Sequence, residues 1–372
     1  MILGPAIVLL RIRLVLNCRE MSGMRTTYAR SAIAAAAVLS LGLAACGSDE
    51  AGVVEDSTSN APSETDAPAA DAALPNIVVT TNILGDVVEQ VVGDAAEVVT
   101  IMPVGTDPHD FQASAQEVDA MYNADALIVN GAAFEEGLLD VIEGAESEGV
   151  PTFEAISVVD TLEFGEGGDK HSDEEHSDEE HSDEEHSDHD DHGHSGADPH
   201  FFTDPMRMAA AVDGIVDFLF EEVAFTDPAA VEASANAYIA ELTALDADVV
   251  SLVESIPEER RVLVTNHEVF GYFAERYGFK VVGAVIPSSS TTDSASAGEL
   301  AELAEKIEAE GVPAIFADTS SSDDLIDALA GEVDDVTVVE LYSESLGEPG
   351  SDGATYVDMV LTNAQRITSA LA

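Results

Sequence analysis

Positive charge is scarce in this sequence. Its 372 residues include 13 lysines and arginines against 74 aspartates and glutamates, which gives a formal net charge of −61 at pH 7. The phosphate backbone of a nucleic acid would be repelled by such a surface, so DNA and RNA are excluded as partners. Cations are the natural counterpart, although an acidic surface can also serve only to keep a protein soluble. The chain is long enough for two globular domains with a substantial core.

Cysteine is nearly absent, with only Cys18 and Cys46 present. Cys46 ends the stretch "LAAC", and the apolar segment before it, residues 31–45, is shorter than the ~20 residues of a membrane-spanning helix. This pattern predicts a bacterial lipoprotein signal in residues 1–45, with Cys46 as the lipidated residue and Met21 or Met24 as the true start. The mature chain would then contain no disulfide and no thiolate metal ligand.

Motifs for catalysis are also missing. The repeated "HSDEEH" units differ from the zinc-protease motif H-E-x-x-H, because histidines five positions apart are about 500° apart around a helix and do not share a face. The sequence shows no Ser/His/Asp nucleophile arrangement and no glycine-rich phosphate loop. A secreted metalloenzyme is therefore disfavoured, and we expect no enzymatic activity.

Short β-branched runs alternate with helical patterns along the chain. Residues 46–76 are polar, aperiodic and rich in proline, alanine and aspartate, which predicts a flexible tether. Strand-like "NIVVTTN", "AEVVTIMPV" and "ALIVNG" then alternate with helix-like "ILGDVVEQVVGD", "SAQEVDAMYNAD" and "EEGLLDVIEGAESEG". This rhythm is typical of a parallel sheet with helices on both faces. It predicts an N-terminal α/β lobe at 77–225, which includes a histidine-rich acidic loop at 165–197.

The same rhythm restarts after a long helical segment. Residues 226–259 have apolar or alanine residues at most i, i+3 and i+4 positions, which predicts either a rigid helix linking two lobes or a surface helix of the second one. Residues 260–372 again alternate strand and helix patterns. The predicted fold class is therefore α/β, with two lobes of mostly parallel sheet joined by the long helix. Ligands of such folds bind beyond the carboxyl ends of the strands, so we expect the site in the interlobe cleft.

Seven of the ten histidines lie in one acidic, almost apolar-free run. Such a run cannot bury a core, so we expect it to stay disordered without metal. A solvated acidic linker would explain its charge but not a histidine at every fifth position. We interpret the run as an accessory collector with weak metal sites, formed by His171, His176, His181, His186, His189, His192 and His194.

The other three histidines are His109, His200 and His267, each at a predicted strand end or loop-to-helix junction. The first two occur in a repeated "DPH" motif. Its proline fixes the backbone, and its aspartate could accept the imidazole's second N–H group. Three imidazoles and one carboxylate would complete a tetrahedral Zn²⁺ site. The carboxylate should come from an Asp or Glu near the end of the last strand.

Several segments together resemble one family. They are "PVGTDPHDFQASAQEVDAMYNADALIVNG", "DPHFFTDP", "DPAAVEASANAYIAEL", "NHEVFGYFAERYGF" and a C-terminal "SLG". In this order and spacing they resemble the zinc- and manganese-binding solute-binding lipoproteins of bacterial ABC transporters, of the ZnuA-like zinc-uptake group. The resemblance covers nearly the whole chain from Ile77 onward.

The resemblance implies the ligand set. His109, His200 and His267 match the family's three nitrogen-ligand positions, and Glu344 in "ESLG" stands where the family has an aspartate. Because glutamate is one methylene longer, Asp352 or water is an alternative fourth ligand. Manganese-binding members have glutamate at the third histidine position, so His267 favours Zn²⁺, in line with the preference of imidazole for zinc.

The implied function is high-affinity capture of Zn²⁺ outside the cytoplasm and delivery to an ABC permease. The protein should be a monomer that is anchored to the outer face of the cell membrane through lipid on Cys46. Binding of Mn²⁺ is the first alternative, and a metal-dependent adhesin or a metallochaperone would use the same fold and site. Because the metal needs neutral imidazoles, affinity should fall as the pH drops through ~6.5, the reference pKa of histidine.

Overall fold

Strands and helices alternate along the chain and build two parallel sheets, as the sequence pattern predicts. The computed structural model describes residues 73–164, 196–322, 324–333 and 335–372. The predicted signal, Cys46 and the seven histidines of the acidic run lie outside these residues. Among the described residues, no helix has both the length and the apolar character needed to cross a membrane.

The first lobe contains a four-stranded sheet in the order β2-β1-β3-β4, with every neighbouring pair parallel. Its strands are β1 (Asn76–Val79), β2 (Glu97–Thr100), β3 (Ala126–Val129) and β4 (Thr152–Glu154). Its helices are α1 (Asn82–Val92), α2 (Ala115–Tyr122), α3 (Leu139–Ser147) and α4 (Pro205–Glu222).

The second lobe repeats this topology with the order β6-β5-β7-β8, again parallel throughout. Its strands are β5 (Val262–His267), β6 (Lys280–Ile286), β7 (Ala314–Asp318) and β8 (Thr337–Leu341). The long helix α5 (Pro228–Val253) precedes it, and its own helices are α6 (Gly271–Tyr277), α7 (Ala297–Glu310), α8 (Asp324–Glu332) and α9 (Tyr356–Leu371). In each sheet the strand order reverses between the two central strands, where α/β folds bind their ligands.

Local sequence explains where the helices begin and end. Asp204 caps α4 by accepting the Met206 N–H group, and Asp227 caps α5 in the same way. A proline follows each aspartate at the first helical position, where its missing N–H group costs nothing. Helix α6 ends at Gly278, whose φ of 72° is readily adopted only by glycine.

The largest differences between the predicted and the observed strands are at β2 and β4. Strand β2 was predicted to run to Val104, but it ends at Thr100, and the chain turns through Pro103 and Gly105. His109 therefore lies on a loop several residues beyond the strand rather than just after it. Strand β4 was not predicted, because its three residues are too few to produce a visible alternation.

Helix α5 spans 26 residues and packs against α1, α4 and the C-terminal helix α9. It is shorter than the predicted segment 226–259, because Pro257 cannot continue a helix and a short 3₁₀ helix, Glu258–Arg260, follows. Its buried residues recur every three or four positions, as an amphipathic helix requires. They are Val231, Ala235, Tyr238, Leu242, Leu245, Val249 and Val253.

One continuous apolar core contains residues of both sheets and of helices α1, α4, α5, α6 and α9. Two smaller clusters cover the outer face of each sheet separately. Polar contacts also join the lobes: Leu346 N–H donates to Asn82 Oδ1 at 2.8 Å, and Tyr356 Oη donates to Phe202 O at 2.7 Å. The two lobes are thus packed together around the edge where the candidate site lies.

Candidate metal site

Four side chains that are far apart in the sequence meet between the two lobes. His109 comes from the loop after β2, and His200 directly precedes the short helix Phe201–Thr203. His267 is the last residue of β5, and Glu344 lies three residues beyond the end of β8. One potential ligand atom from each lies within 4.8 Å of the others. All four residues are buried, with exposed fractions of 4% for His109, 0% for His200 and His267, and 1% for Glu344.

A single carboxylate oxygen is the meeting point of the three imidazoles. Glu344 Oε1 lies 2.8 Å from His109 Nε2, 3.3 Å from His200 Nε2 and 3.1 Å from His267 Nε2. The same ring nitrogen of each histidine therefore points to one small volume. Each lobe contributes two of the four side chains, so the arrangement exists only while the lobes are together.

The second ring nitrogen of His200 is held by the aspartate of its own "DPH" motif. Asp198 Oδ1 lies 2.7 Å from His200 Nδ1 and also accepts the His200 backbone N–H group at 3.0 Å. The Tyr272 hydroxyl, from α6 of the second lobe, donates to the Asp198 backbone carbonyl at 2.6 Å. Asn130, directly after β3, donates to the Pro199 carbonyl at 3.0 Å. Asp198 thus contacts the second ring nitrogen of His200, as the "DPH" motif predicts.

The first "DPH" motif behaves differently from the expectation. Asp107 Oδ1 accepts only the backbone N–H group of His109, at 2.9 Å, and does not contact the ring. His109 Nδ1 instead lies 3.1 Å from Glu136 Oε1, at the start of the 3₁₀ helix Glu136–Leu138. Sequence reasoning missed Glu136, because nothing in the local pattern distinguishes it from the other surface acids of this segment.

His267 differs from His200 and His109, because no carboxylate contacts its Nδ1 atom within the described residues. His267 Nδ1 and Glu344 Oε2 have no hydrogen-bond partner among the described residues, and His267 Nε2 makes only its 3.1 Å contact with Glu344 Oε1. Buried polar atoms are nearly always satisfied, so an unpaired carboxylate oxygen among three buried imidazoles indicates a site built for a bound cation.

The electrostatics of the site follow from this convergence. Burial lowers the pKa of His109, but Glu344 and Glu136 outweigh burial and raise that pKa to about 10. The pKa of His200 is also raised: burial lowers it, whereas Asp198 and Glu344 raise it by more. Burial raises the pKa of Glu344, but the imidazoles outweigh it and hold that pKa well below its usual range. Without a metal, protons on His109 and His200 therefore balance the buried carboxylate.

A further buried carboxylate lies next to the four side chains. Asp318 ends β7, is 3% exposed, and accepts hydrogen bonds from the backbone N–H and hydroxyl groups of Ser320. Burial and the negative charge of Glu344 raise the pKa of Asp318 to about 6. Its position at the end of a strand is the sequence signal that could have indicated it.

Aromatic rings separate the site from solvent. Phe134 contacts the rings of His109 and His200 edge-on, with centroids 5.2 Å and 5.6 Å apart, and Phe202 packs on both Phe134 and His200. Excluding water strengthens every electrostatic interaction inside the site. A cation bound among these side chains would be held in a dry, partly apolar pocket.

Of the two carboxylates considered for the fourth ligand, the geometry favours Glu344. Asp352 is outside the group of four and is held elsewhere, by the Tyr342 hydroxyl at 2.7 Å and by Arg366 at 2.9 Å. The longer side chain of glutamate is enough to reach the three imidazoles from its position after β8.

Known metal-binding proteins are similar to this chain over most of its length. A sequence profile of the family described as "Zinc-uptake complex component A periplasmic" matches residues 77–370. The chain is 27% identical over 338 residues to the manganese-binding lipoprotein MntA of Halalkalibacterium halodurans, covering 90% of this chain and 96% of that protein. It is 30% identical over 316 residues to the zinc-binding protein TroA of Treponema pallidum, covering 80% and 89% of the two chains. The solved structure of TroA superposes with a TM-score of 0.68 and 28% identity, covering 81% of this chain and all of TroA.

Proposed function

This chain belongs to the family of periplasmic zinc-uptake components, and from this membership we propose that it captures Zn²⁺ outside the cytoplasm and delivers it to an ABC permease. The observation that carries the proposal is the convergence of three buried Nε2 atoms on Glu344 Oε1. The ion is the cargo of the protein, which holds and releases it without chemical change. Three imidazoles and one carboxylate are a four-donor set of the kind that zinc prefers.

The donor set also bears on the choice of metal. Imidazole nitrogen suits zinc, whereas manganese favours sites that are richer in carboxylate and carbonyl oxygen. With His109, His200 and His267 the site offers three nitrogens for one carboxylate. The relatives include a manganese-binding protein as well as a zinc-binding one, so Mn²⁺ is the second candidate. We place zinc first because of the nitrogen-rich donor set.

The carboxylates around the imidazoles explain how the ligands are prepared. When a neutral imidazole donates its Nδ1–H group to Asp198 or Glu136, its Nε2 lone pair is directed to the metal. This fixes the tautomer and the ring orientation of His200 and His109. The metal ion therefore displaces protons from imidazoles that are already in their binding orientation.

Release follows from the division of the site between the lobes. His109 and His200 belong to the first lobe, and His267 and Glu344 to the second. Because all four side chains are buried, the metal cannot leave while the lobes remain packed together. Movement of one lobe relative to the other would remove half of the ligands at once, and contact with a permease is the event that we assign to this step.

The segments outside the described residues have supporting roles in the proposal. Relatives of the chain are lipoproteins. Lipid on Cys46 would keep the protein, as a monomer, at the outer face of the membrane, with the segment between Cys46 and β1 as a tether. The seven histidines of the acidic run would collect metal at weaker sites and raise its local concentration near the cleft.

The proposal is tested with a triple variant, His109→Ala, His200→Ala and His267→Ala, in a chain that lacks the acidic histidine run. Isothermal titration with Zn²⁺ should show one tight site in the run-deleted parent and none in the triple variant. Wild-type affinity in the triple variant would refute the assignment. Metal analysis of protein purified without chelator or nickel resin, followed by competition between Zn²⁺ and Mn²⁺, identifies the preferred ion. Preferential binding of manganese would overturn the choice of metal alone.

A further inference from the structure

The loop between β6 and α7, residues 287–296, is rich in hydroxyl groups and reads "PSSSTTDSAS". We call it the hydroxyl loop. Its own side chains cross-link it: the Ser288 hydroxyl donates to Asp293 and accepts the Ser290 backbone N–H group, and Ser290 Oγ lies 2.7 Å from Thr292 Oγ1. Ser288 and Ser290 are buried, with 6% and 2% of their surface exposed. The loop thus holds a defined shape at the edge of the second lobe.

Two consecutive threonines of this loop reach across to the first lobe. The Thr291 hydroxyl donates to Asp107 Oδ2 at 2.6 Å, although 184 positions separate the two residues. The Thr292 hydroxyl makes a longer contact of 3.5 Å with Glu136 Oε2. The first contact is a short hydrogen bond to a charged acceptor, a strong type, and the second is at the weak end of the range.

Asp107 and Glu136 are the two carboxylates that hold His109. The other oxygen of Asp107 accepts the His109 backbone N–H group at 2.9 Å, and the other oxygen of Glu136 lies 3.1 Å from His109 Nδ1. The backbone direction and the ring orientation of His109 are therefore each set by a carboxylate that also contacts a threonine hydroxyl of the opposite lobe.

The choice of hydroxyl groups has an electrostatic reason. An arginine or lysine at this place could also bind Asp107 and Glu136, but its positive charge would repel an incoming metal ion at the neighbouring site. A hydroxyl group fixes the carboxylates without adding charge. It leaves their full negative charge to act on the cation and on the imidazole.

From these contacts we infer that Thr291 and Thr292 are positioning residues for His109, acting across the cleft through Asp107 and Glu136. The inference rests on the proposed function, since it concerns the geometry of the same metal site. It means that the first-lobe ligand reaches its binding orientation only when the hydroxyl loop of the second lobe is docked. Docking of the lobes and preparation of the ligand are then one event.

The test uses the double variant Thr291→Val and Thr292→Val, which removes both hydroxyl groups at nearly constant volume. We expect the Kd for Zn²⁺, measured by competition with a chromophoric chelator, to rise about tenfold, mainly through faster dissociation. The double variant Thr291→Ser and Thr292→Ser keeps the hydroxyl groups, so its Kd for Zn²⁺ should lie within about twofold of the wild-type value. Thr243→Val is the matched control, because Thr243 is an exposed threonine of α5 whose hydroxyl bonds only within its own helix.

A second readout separates positioning from a general loss of stability. The ¹⁵N resonances of the His109 ring report its tautomer and its Nδ1 hydrogen bond. In the valine variant with bound zinc they should shift, while those of His267, whose ring has no hydrogen bond to the loop among the described residues, stay in place. The serine variant should show the wild-type positions.

The outcomes distinguish this inference from the function on which it rests. If the wild-type protein binds no zinc tightly, the proposed function is wrong and the inference falls with it. If wild type binds and the valine variant matches it in Kd, dissociation rate and His109 resonances, the inference alone is wrong. A serine variant as weak as the valine variant would also overturn it, because the effect would then come from packing rather than from the hydroxyl groups.

Discussion

Glu344 Oε1 lies 2.8 Å from His109 Nε2, although 235 positions of sequence separate the two residues. Both are buried, and they come from different lobes. This contact lies at the centre of the site, because the other two imidazoles approach the same oxygen. Without a metal, Glu344 balances the protons on His109 and His200, and in the proposed function it is the anionic ligand of the metal.

Replacing Glu344 by Gln should remove this anionic ligand while keeping its size. Loss of a carboxylate that only holds a metal ligand typically costs 10–100-fold in affinity, so loss of the ligand itself should weaken zinc binding by more than about 100-fold. Competition titration against a chromophoric chelator measures the change. Asp352→Asn is the control, because this exposed carboxylate is occupied by Tyr342 and Arg366. If Asp352→Asn weakened zinc binding and Glu344→Gln left it unchanged, the result would contradict the geometry.

Zinc binding should release protons at neutral pH. The pKa of His109 is raised from 6.5 to about 10, so its imidazole is protonated at pH 7.5 before the metal binds. Affinity should rise by about tenfold per pH unit for each displaced proton until the pH passes the raised pKa. The pH range over which zinc affinity rises therefore lies above the value of ~6.5 that the reference pKa of histidine suggests. Calorimetry at pH 7.5 in two buffers with different ionisation enthalpies counts the protons, and identical enthalpies in both would refute the prediction.

The same shift affects the metal-free protein with a defined sign. A histidine whose pKa is raised by folding stabilises the folded state fully below pH 6.5, and it loses this contribution as the pH rises through about 10. The thermal midpoint of the metal-free protein should therefore fall between these pH values. Addition of zinc should reverse the trend, because metal binding strengthens as the proton leaves.

Asp318→Asn should stabilise the metal-free protein and weaken its metal binding. Folding raises the pKa of Asp318 from 3.8 to about 6, so its contribution to stability is greatest at low pH and is lost as the pH rises through about 6. At pH 8 the ionised carboxylate should cost roughly 1–3 kcal/mol, which the substitution removes. A bound cation would instead benefit from this charge. Denaturant unfolding with chelator and with zinc measures both effects, and exposed Glu308→Gln should change neither.

Gly271→Ala should disturb His200 from a distance. A Cβ atom on Gly271 would lie 2.7 Å from Asp198 Oδ2, so the carboxylate that holds His200 Nδ1 would have to move. We expect zinc affinity to fall by about tenfold or more, as for other losses of a carboxylate partner. Gly298→Ala is the matched control near the start of α7, where the added Cβ would meet only Ser296 Oγ at 3.7 Å. Equal affinities of the two variants would contradict the prediction.

Deleting Lys170 to His194 should lower the number of bound metals and leave one tight site. The four buried side chains of that site lie outside the deleted segment. A variant with the seven histidines of the run changed to glutamine keeps the length and the acidic charge, and it should show the same loss of weak sites. Equilibrium dialysis with zinc gives the stoichiometry. Loss of the tight site on deletion would show that the run is part of it.

Much of the fold could be read from the sequence. The runs "NIVVTTN" and "ALIVNG" predicted β1 and β3, and the amphipathic pattern of residues 226–259 predicted α5. These features depend on neighbouring residues, so the local pattern contains them. His109, His200 and His267 could be selected because the other seven histidines belong to one repetitive run, and Glu344 followed from the resemblance of its segment.

The tertiary structure decided which side chains meet. The sequence could not show that Glu136 rather than Asp107 contacts the ring of His109, because the two acids precede and follow it on different loops. It could not show that Thr291 would cross from the second lobe to Asp107 either. Such contacts depend on how two sheets pack around a shared core, and packing joins residues that no local pattern relates. The sequence by itself determined the element order and the residue types of the candidate site, and only the packing of the lobes brought those side chains to one point.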